Sequence, residues 1–324
     1  MTDAPYNKFA QGLLIVKAKN SSFNSDFSGL PRRLPDNNGT IYATDKALKY
    51  CIRKYLIDQN ENVFVWRRYD KKHRPLNLVE NYEEVFGKVG KDKKTIVTDL
   101  ATTTDVRLFG VTYAGDTNVS LTGTTQISYG VNRFDENLFF NNSILSPYAD
   151  KNKSDAQQQT LGNETKTLEA HYVYDFIINP NNLISSLEFI DEKERKKLLL
   201  QESDVELFKK GMCRGVSNVT SASKIGSDSE LFLFIEMNAE EKNGRIESHI
   251  LPLMKDYVKI SSENGKTTID LQEVFTSLNK RYKKYVSNIE LYYDDNTTNV
   301  TGMSSENALK VKKKHIVTFE DINE

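Results

Sequence analysis

The residues 44–56, TDKALKYCIRKYL, hold four cations: Lys46, Lys49, Arg53 and Lys54. Ammonium and guanidinium groups bind anions by charge and by donated hydrogen bonds, the guanidinium in a planar fork suited to phosphate. On a helix, at about 100° per residue, Lys46, Lys49 and Arg53 fall within roughly 60° of one another. Ala47, Leu48, Cys51, Ile52, Tyr55 and Leu56 fall on the other side, and Thr44 or Asp45 is placed to cap the start. A solvated helix face usually mixes signs through i,i+4 pairs. Here Asp45 and Asp58 stand only at the ends, so the stripe reads as an anion site lacking counter-charges, with a plain solvated face as the alternative.

Other chemistry is thin. His73, His171, His249 and His315 show no metal-ligand spacing with one another or with a cysteine, and no protease, hydrolase or P-loop motif appears. Asp294 and Asp295 are a candidate metal pair that an exposed turn explains better. Asp26 and Asp36, in the loop after the first strand, are the acids that could assist an attack by a ribose hydroxyl or hold a metal. Ordinary loop acids are the favoured alternative. No catalytic residue, metal or cofactor is therefore assigned.

The chain has 324 residues, 38% hydrophobic and 27% charged, with a net charge of −1. That composition fills a core and excludes a disordered chain. The charge is uneven: residues 1–100 carry 18 Lys and Arg against 12 Asp and Glu, and the remainder 26 against 33. Phosphate binding needs only a local cationic groove. Two cysteines, Cys51 and Cys213, give no disulfide framework. No apolar run approaches a membrane span and the start lacks a signal core, so a cytoplasmic location is expected.

The elements that must position the stripe follow from pattern. QGLLIVKAKN (11–20) predicts a strand, followed by a Ser-, Asn- and Pro-rich loop to residue 43 and then the cationic helix. Residues 61–100 read as an inserted subdomain with helix near 81–86; residues 105–130 as a short helix or turn, then strand; residues 131–169 as polar and irregular. HYVYDFIIN (171–179) predicts a strand with Tyr172, Tyr174 and Phe176 on one face. EKERKKLLLQESDVELFKKGMCRG predicts a helix in two pieces broken near Ser203, then a loop, then the buried strand 230–238. Asn243-Gly244 and Asn264-Gly265 are hairpin turn signals. Another helix at 269–286 and a strand at 287–294 complete an α+β chain.

TDKALKYCIRKYL after a first strand and long loop, then DVRLFG, SLTGTTQISYG, LGNETKTLEAHYVYDF, and SNVTSASKIG ahead of ELFLFIE, together resemble one family over most of residues 10–295. It is the Cas-seven family of backbone subunits of type I CRISPR Cascade effector complexes, in its type I-B branch. The resemblance implies a modified RNA-recognition-motif (ferredoxin-like) palm, with fingers and a thumb inserted. It divides the chain into palm at 10–60, 105–132 and 170–295, fingers at 61–104, thumb at 133–169 and a tail at 296–324. It implies copies lined up along CRISPR RNA, each gripping the guide's backbone while base pairing with target DNA carries specificity. The implied partners are that RNA, target DNA through it, further copies of the chain, and other Cascade subunits: the large subunit, the guide 5′-end cap subunit and the guide-processing endonuclease.

On this resemblance Thr44, Lys46, Lys49 and Arg53 line the RNA groove. Arg32 and Arg33 lie near the RNA, and Ser221, Ser223 and Lys224 form a further backbone clamp. Leu138, Phe139 and Phe140 are the candidate thumb wedge, which must be apolar to part stacked bases. Arg67, Arg68, Lys71 and Lys72 are finger cations for RNA or DNA. The RNA-cutting cousins of type III systems carry an aspartate near the positions of Gly29 and Leu30, where this chain has none, although Asp26 is close. Tyr172, Tyr174 and Phe176 do not form the base-stacking signature of ordinary RNA-recognition domains and are assigned to the core. The leading expectation is a non-enzymatic RNA-binding scaffold whose Lys46, Lys49 and Arg53 contribute alike. Its rivals are a metal-dependent endoribonuclease of the type III kind using Asp26 or Asp36, and an unrelated α+β protein whose cationic helix meets an acidic partner.

Overall fold

Strand β1 (Ala10–Ser21) lies at the centre of the molecule, and its sequence explains why. Ala10, Leu14, Val16 and Ala18 point to one side of the sheet, while Leu13 and Ile15 point to the other. A strand buried on both faces reads as a continuous apolar run rather than an alternation. Gly12 is required there: a β-carbon would stand 1.8 Å from the Leu233 carbonyl oxygen of the neighbouring strand. The computed structural model describes residues 4–90, 92–149, 158–303 and 309–322.

After β1 come helices α1 (Asp45–Asp58), α2 (Leu78–Phe86) and α3 (Lys93–Ala101). Strands β2 (Gly130–Asn132), β3 (Phe139–Ala149) and β4 (Gln158–Ile178) follow. Helix α4 (Glu202–Arg214) leads into β5 (Ser227–Met237), and β6 (Val286–Tyr293) and β7 (Lys312–His315) finish the sheet. The strand order is β7-β6-β5-β1-β4-β2, with Tyr42–Ala43 at the far edge. β1 is antiparallel to both neighbours, Leu14 facing Tyr174 of β4 and Phe232 of β5. Helices α1 and α4 pack on one face over Tyr172, Tyr174, Phe176, Phe232 and Phe234. Those first three aromatics are core, each 1% exposed or less, as expected. The opposite face is covered by residues 251–278, through Leu251, Val258, Ile269, Val274 and Phe275. The architecture is mixed α+β.

Both Asn-Gly pairs turn hairpins, with positive φ at Asn243, Gly244, Asn264 and Gly265. Cys51 and Cys213 are buried and free. The predicted break in the helix 192–214 falls at Leu199–Gln201, and Gln201 rather than Ser203 caps α4. The helix expected over 269–286 is regular only at Gln272–Ser277 and continues as π- and 3₁₀-turns.

The largest correction concerns residues 131–169. Their described part holds a long antiparallel strand pair: β4 begins at Gln158, not 171, and β3 pairs with it from Phe139 to Ala149. The covered face of β4 here carries Thr165, Thr167 and Glu169, which are buried but polar, so apolar alternation is absent and only NETKTLEA remains to be read. Part of the expected thumb, residues 150–157, lies outside the described residues, as do 304–308 and 323–324 of the tail. The 61–104 segment shares its core with its surroundings: Phe64, Tyr82, Ile96 and Leu100 pack with Tyr113, Leu121, Leu183 and Leu198. No helix among the described residues is long and apolar enough to cross a membrane.

Candidate nucleic-acid interface

Helix α1 forms where its sequence places it. The Thr44 hydroxyl accepts from the Ala47 amide at 3.3 Å, and the buried side is Leu48, Cys51, Ile52, Tyr55 and Leu56. The loop after β1 fixes the start: Asn24 Oδ1 accepts from the Thr44 amide at 2.9 Å and from its hydroxyl at 3.2 Å.

The three stripe cations are not equivalent. Lys46 is open, its side chain 82% exposed, with Asp45 at 3.4 Å. Lys49 is mostly covered and sits 3.1 Å from Asp45. Burial pushes the Asp45 carboxyl up, but the hydrogen bond and charge of Lys49, with the charge of Lys46, outweigh it and leave the group below its usual range. Arg53 is covered too. Its Nε donates to Asp105 Oδ2 at 2.9 Å and its guanidinium lies over Phe109 at 5.2 Å. Asp105 is fully buried and also accepts from the Phe64 and Val65 amides at 2.8 and 3.0 Å. The expectation of a stripe without acids is thus corrected. Asp45 stands one turn before Lys49, and Asp105 arrives from the helix Thr104–Phe109, where helical periodicity around residue 53 cannot see it. Arg53 ties α1 to the segment after it, and Lys46 faces outward.

The remaining candidates converge from distant parts of the chain. The turn 221–226 docks on the end of β1, with Ser22 N donating to Ser223 O at 2.6 Å and Lys19 N to Gly226 O at 2.8 Å. Lys224 Nζ donates to the Phe23 carbonyl and lies 5.0 Å from the centre of the Phe23 ring. Among the described residues no carboxylate pairs with it, and burial pushes its pKa down. A half-buried ammonium with no counter-charge is costly, and a bound anion removes that cost. Ser221 and Ser223 are exposed, their hydroxyls 3.2 Å apart. Arg32 Nε is buried with no hydrogen-bond partner. Arg33 turns to the hairpin root instead: it donates to the carbonyls of Gly39 at 2.5 Å and Asn137 at 3.0 Å, and covers the Phe139 ring at 5.0 Å. The fold therefore gathers Asn24, Thr44, Lys224 and the two serines around the loop after β1, and sends Arg33 elsewhere.

Leu138, Phe139 and Phe140 are 55%, 37% and 36% exposed. They stand at the root of the β3–β4 hairpin, where Phe139 pairs with Thr167. Of the finger cations, Arg68 is turned inward onto the Val63 and Phe64 carbonyls and Asn81, whereas Arg67, Lys71 and Lys72 are exposed.

The acids hold their own turns. Asp26 Oδ1 accepts from the Ser28 and Leu30 amides, and Asp36 Oδ1 from that of Thr40, whose hydrogen bonds hold the Asp36 carboxyl low. Asp294, Asp295 and His315 place ligand atoms within 4.8 Å of one another. However, His315 Nδ1 accepts from the Thr318 amide, leaving its proton on Nε2 toward Asp294 at 3.6 Å, and Asp294 also accepts from the Asn296 amide. That donor set is spent on a turn.

Sequence reasoning missed two features. Asn24, which joins the loop to α1, has no linear signal. Tyr50 and Trp66 stack at 5.0 Å with planes 19° apart, Tyr50 being 47% exposed. The lone tryptophan inside a run of charges was the available clue.

Residues 8–280 match the family model described as CRISPR-associated protein Cas7. A chain of a solved "CRISPR RNA-guided surveillance complex, pre-nicking" aligns over 96% of this chain and 97% of its own, with a TM-score of 0.51 at 10% identity, and so shares the fold. A chain of a solved "CRISPR RNA-guided surveillance complex" aligns over 90% and 94%, with a TM-score of 0.44 at 10% identity. No curated protein matches the sequence.

Proposed function

The chain belongs to the CRISPR-associated Cas7 family, and from that premise we propose that it is a guide-RNA-binding backbone subunit of a type I CRISPR Cascade surveillance complex, of the type I-B branch. Copies line up along CRISPR RNA in the cytoplasm, beside the large, 5′-cap and guide-processing subunits, and present guide segments to target DNA. The palm is a modified RNA-recognition motif at 10–60, 105–132 and 170–295, in which β1–α1 and β4–α4–β5 form the two halves. The fingers are 61–104, the thumb 133–169 and the tail 296–324. Leu138, Phe139 and Phe140 wedge bases apart.

The observation that carries this reading is the gathering of Lys224, Ser221, Ser223 and the α1 N-terminus around the loop after β1, with Lys224 half-buried and, among the described residues, without a carboxylate partner. Contacts of that kind grip phosphate and leave sequence to base pairing. The chain acts without catalysis: Asp26 and Asp36 serve turns, so nothing favours the endoribonuclease alternative. The test is the nucleic-acid content of the purified full chain. Bound RNA of mixed sequence, released by high salt, is expected. Nucleic-acid-free protein that fails to bind a labelled guide contradicts the proposal. Periodic cuts in complementary RNA with Mg²⁺, abolished by Asp26→Ala, would establish the alternative.

A further inference from the structure

Beside α1, in the segment 61–104, a cleft of about 360 Å³ opens to solvent. Its size is at the lower end of small-ligand clefts, about 300–1,000 Å³. Val65, Trp66, Leu76, Leu78 and Val111 supply apolar walls, and Arg67 stands at the mouth. The Trp66 ring is held in place from one side by Tyr50. The floor is fixed as well: Asp105 holds the Phe64 and Val65 amides, and Arg68 bridges the Val63 and Phe64 carbonyls to Asn81. Tyr50 follows Lys46, the most open cation of α1, by one helical turn on the same side of the helix. Arg67 is exposed, and among the described residues no carboxylate pairs with it.

A flat aromatic wall, aliphatic sides and cations at the mouth match one ligand chemistry: a planar ring joined to an anion. We propose that this cleft binds a single unstacked nucleobase of a single-stranded nucleic acid, stacked on Trp66, with the adjoining phosphates at Arg67 and Lys46. The inference rests on the nucleic-acid-binding reading above and adds a base-sized subsite to it. Stacking on an aromatic side chain tolerates every base, because each has a π-face. The subsite therefore adds affinity without sequence preference.

Trp66 is the single tryptophan of the chain, so tryptophan emission, excited where tyrosine does not absorb, reports this cleft. The full chain is titrated with a fluorescein-labelled uridine 30-mer, read by anisotropy, and with the same strand unlabelled, read by Trp66 emission. An abasic strand of equal length serves as the control. Quenching by the base-bearing strand, and binding without quenching by the abasic strand, are expected. Trp66→Ala is expected to weaken the base-bearing strand about tenfold, within the range for losing one stacked base, and to leave the abasic strand unchanged. Because Trp66 also packs against the core, Thr112→Phe is the second variant: it fills the cleft from its exposed rim and keeps the reporter. It should bind the strand more weakly and lose the quench. Binding without quenching in the unmodified chain, or a quench that survives Thr112→Phe, overturns the subsite and leaves the backbone-subunit reading standing. No binding of either strand overturns both.

Discussion

Two groups of cations in this protein look alike in sequence and differ in what the fold does with them. Arg53 and Lys49 of α1 receive counter-charges from within the chain: Arg53 from the buried Asp105, Lys49 from Asp45. Among the described residues Lys224, on the turn after α4, receives the carbonyl and ring face of Phe23 and no carboxylate. The first group spends its charge on architecture. The second has no carboxylate partner among the described residues. A cation's immediate neighbours in sequence do not reveal which group it joins, because the deciding carboxylate can lie on another element.

The most disruptive way to probe this contrast is Arg53→Ala. It strands a fully buried carboxylate that retains two amide donors, and loss of one partner of a buried pair costs about 3–5 kcal/mol. Urea unfolding should show that loss, with any effect on RNA binding following from it. A variant that is fully stable yet defective in binding would place Arg53 in the second group.

Acid tests a further cluster whose charges are paired within the chain. His171 is buried between Glu230 at 2.5 Å and Glu169 at 3.2 Å. Burial pushes both carboxyls up, but hydrogen bonds to His171 and the charges of Lys17 and Lys19 bring them below their ordinary values. A lowered carboxyl stabilises the fold above its unfolded pKa, about 4.3, and that stability is lost as pH falls through the folded value. Unfolding midpoints should therefore hold to about pH 5 and drop below it. His171→Gln removes a group that lowers both carboxyls, so this acid-side drop should become shallower.

Lys224→Met acts in the opposite sense. Burial lowers the Lys224 pKa, so its charged form costs stability at neutral pH, and that cost disappears as pH rises through its folded value. The variant should be at least as stable as the parent without RNA, should lack the parent's alkaline gain, and should bind guide RNA several-fold more weakly. Parallel thermal melts and filter binding decide it. Reduced stability together with unchanged binding would move Lys224 into the architectural group. Lys46→Ala is the mildest change: stability within about 0.5 kcal/mol of the parent, and a small, sequence-independent loss of RNA affinity.

What was legible in the sequence was local. β1, the α1 span with its Thr44 cap, the two Asn-Gly turns and the burial of Tyr172, Tyr174 and Phe176 all follow from patterns a few residues long. The pairing of β3 with β4 was not legible, because the face that β4 buries there carries Thr165, Thr167 and Glu169, and polar residues show no apolar period. The pairing of Arg53 with Asp105, of Lys224 with Phe23 and of Tyr50 with Trp66 joins residues 52, 201 and 16 positions apart. Each depends on how the elements stack, which composition and spacing do not encode. Family resemblance placed Lys224 near the RNA, but only the structure shows it without a carboxylate partner among the described residues.

The most direct test of the account is the salt dependence of guide binding by the parent chain and by the Lys46→Ala/Lys224→Met double variant, each on two unrelated guide sequences. Each phosphate neutralised on a single strand contributes about −0.7 to the slope of log affinity against log salt. The account expects the double variant's slope to be shallower by about 1.4, equally for both guides. An unchanged slope, or a change confined to one guide, contradicts the claim that these two cations grip the backbone.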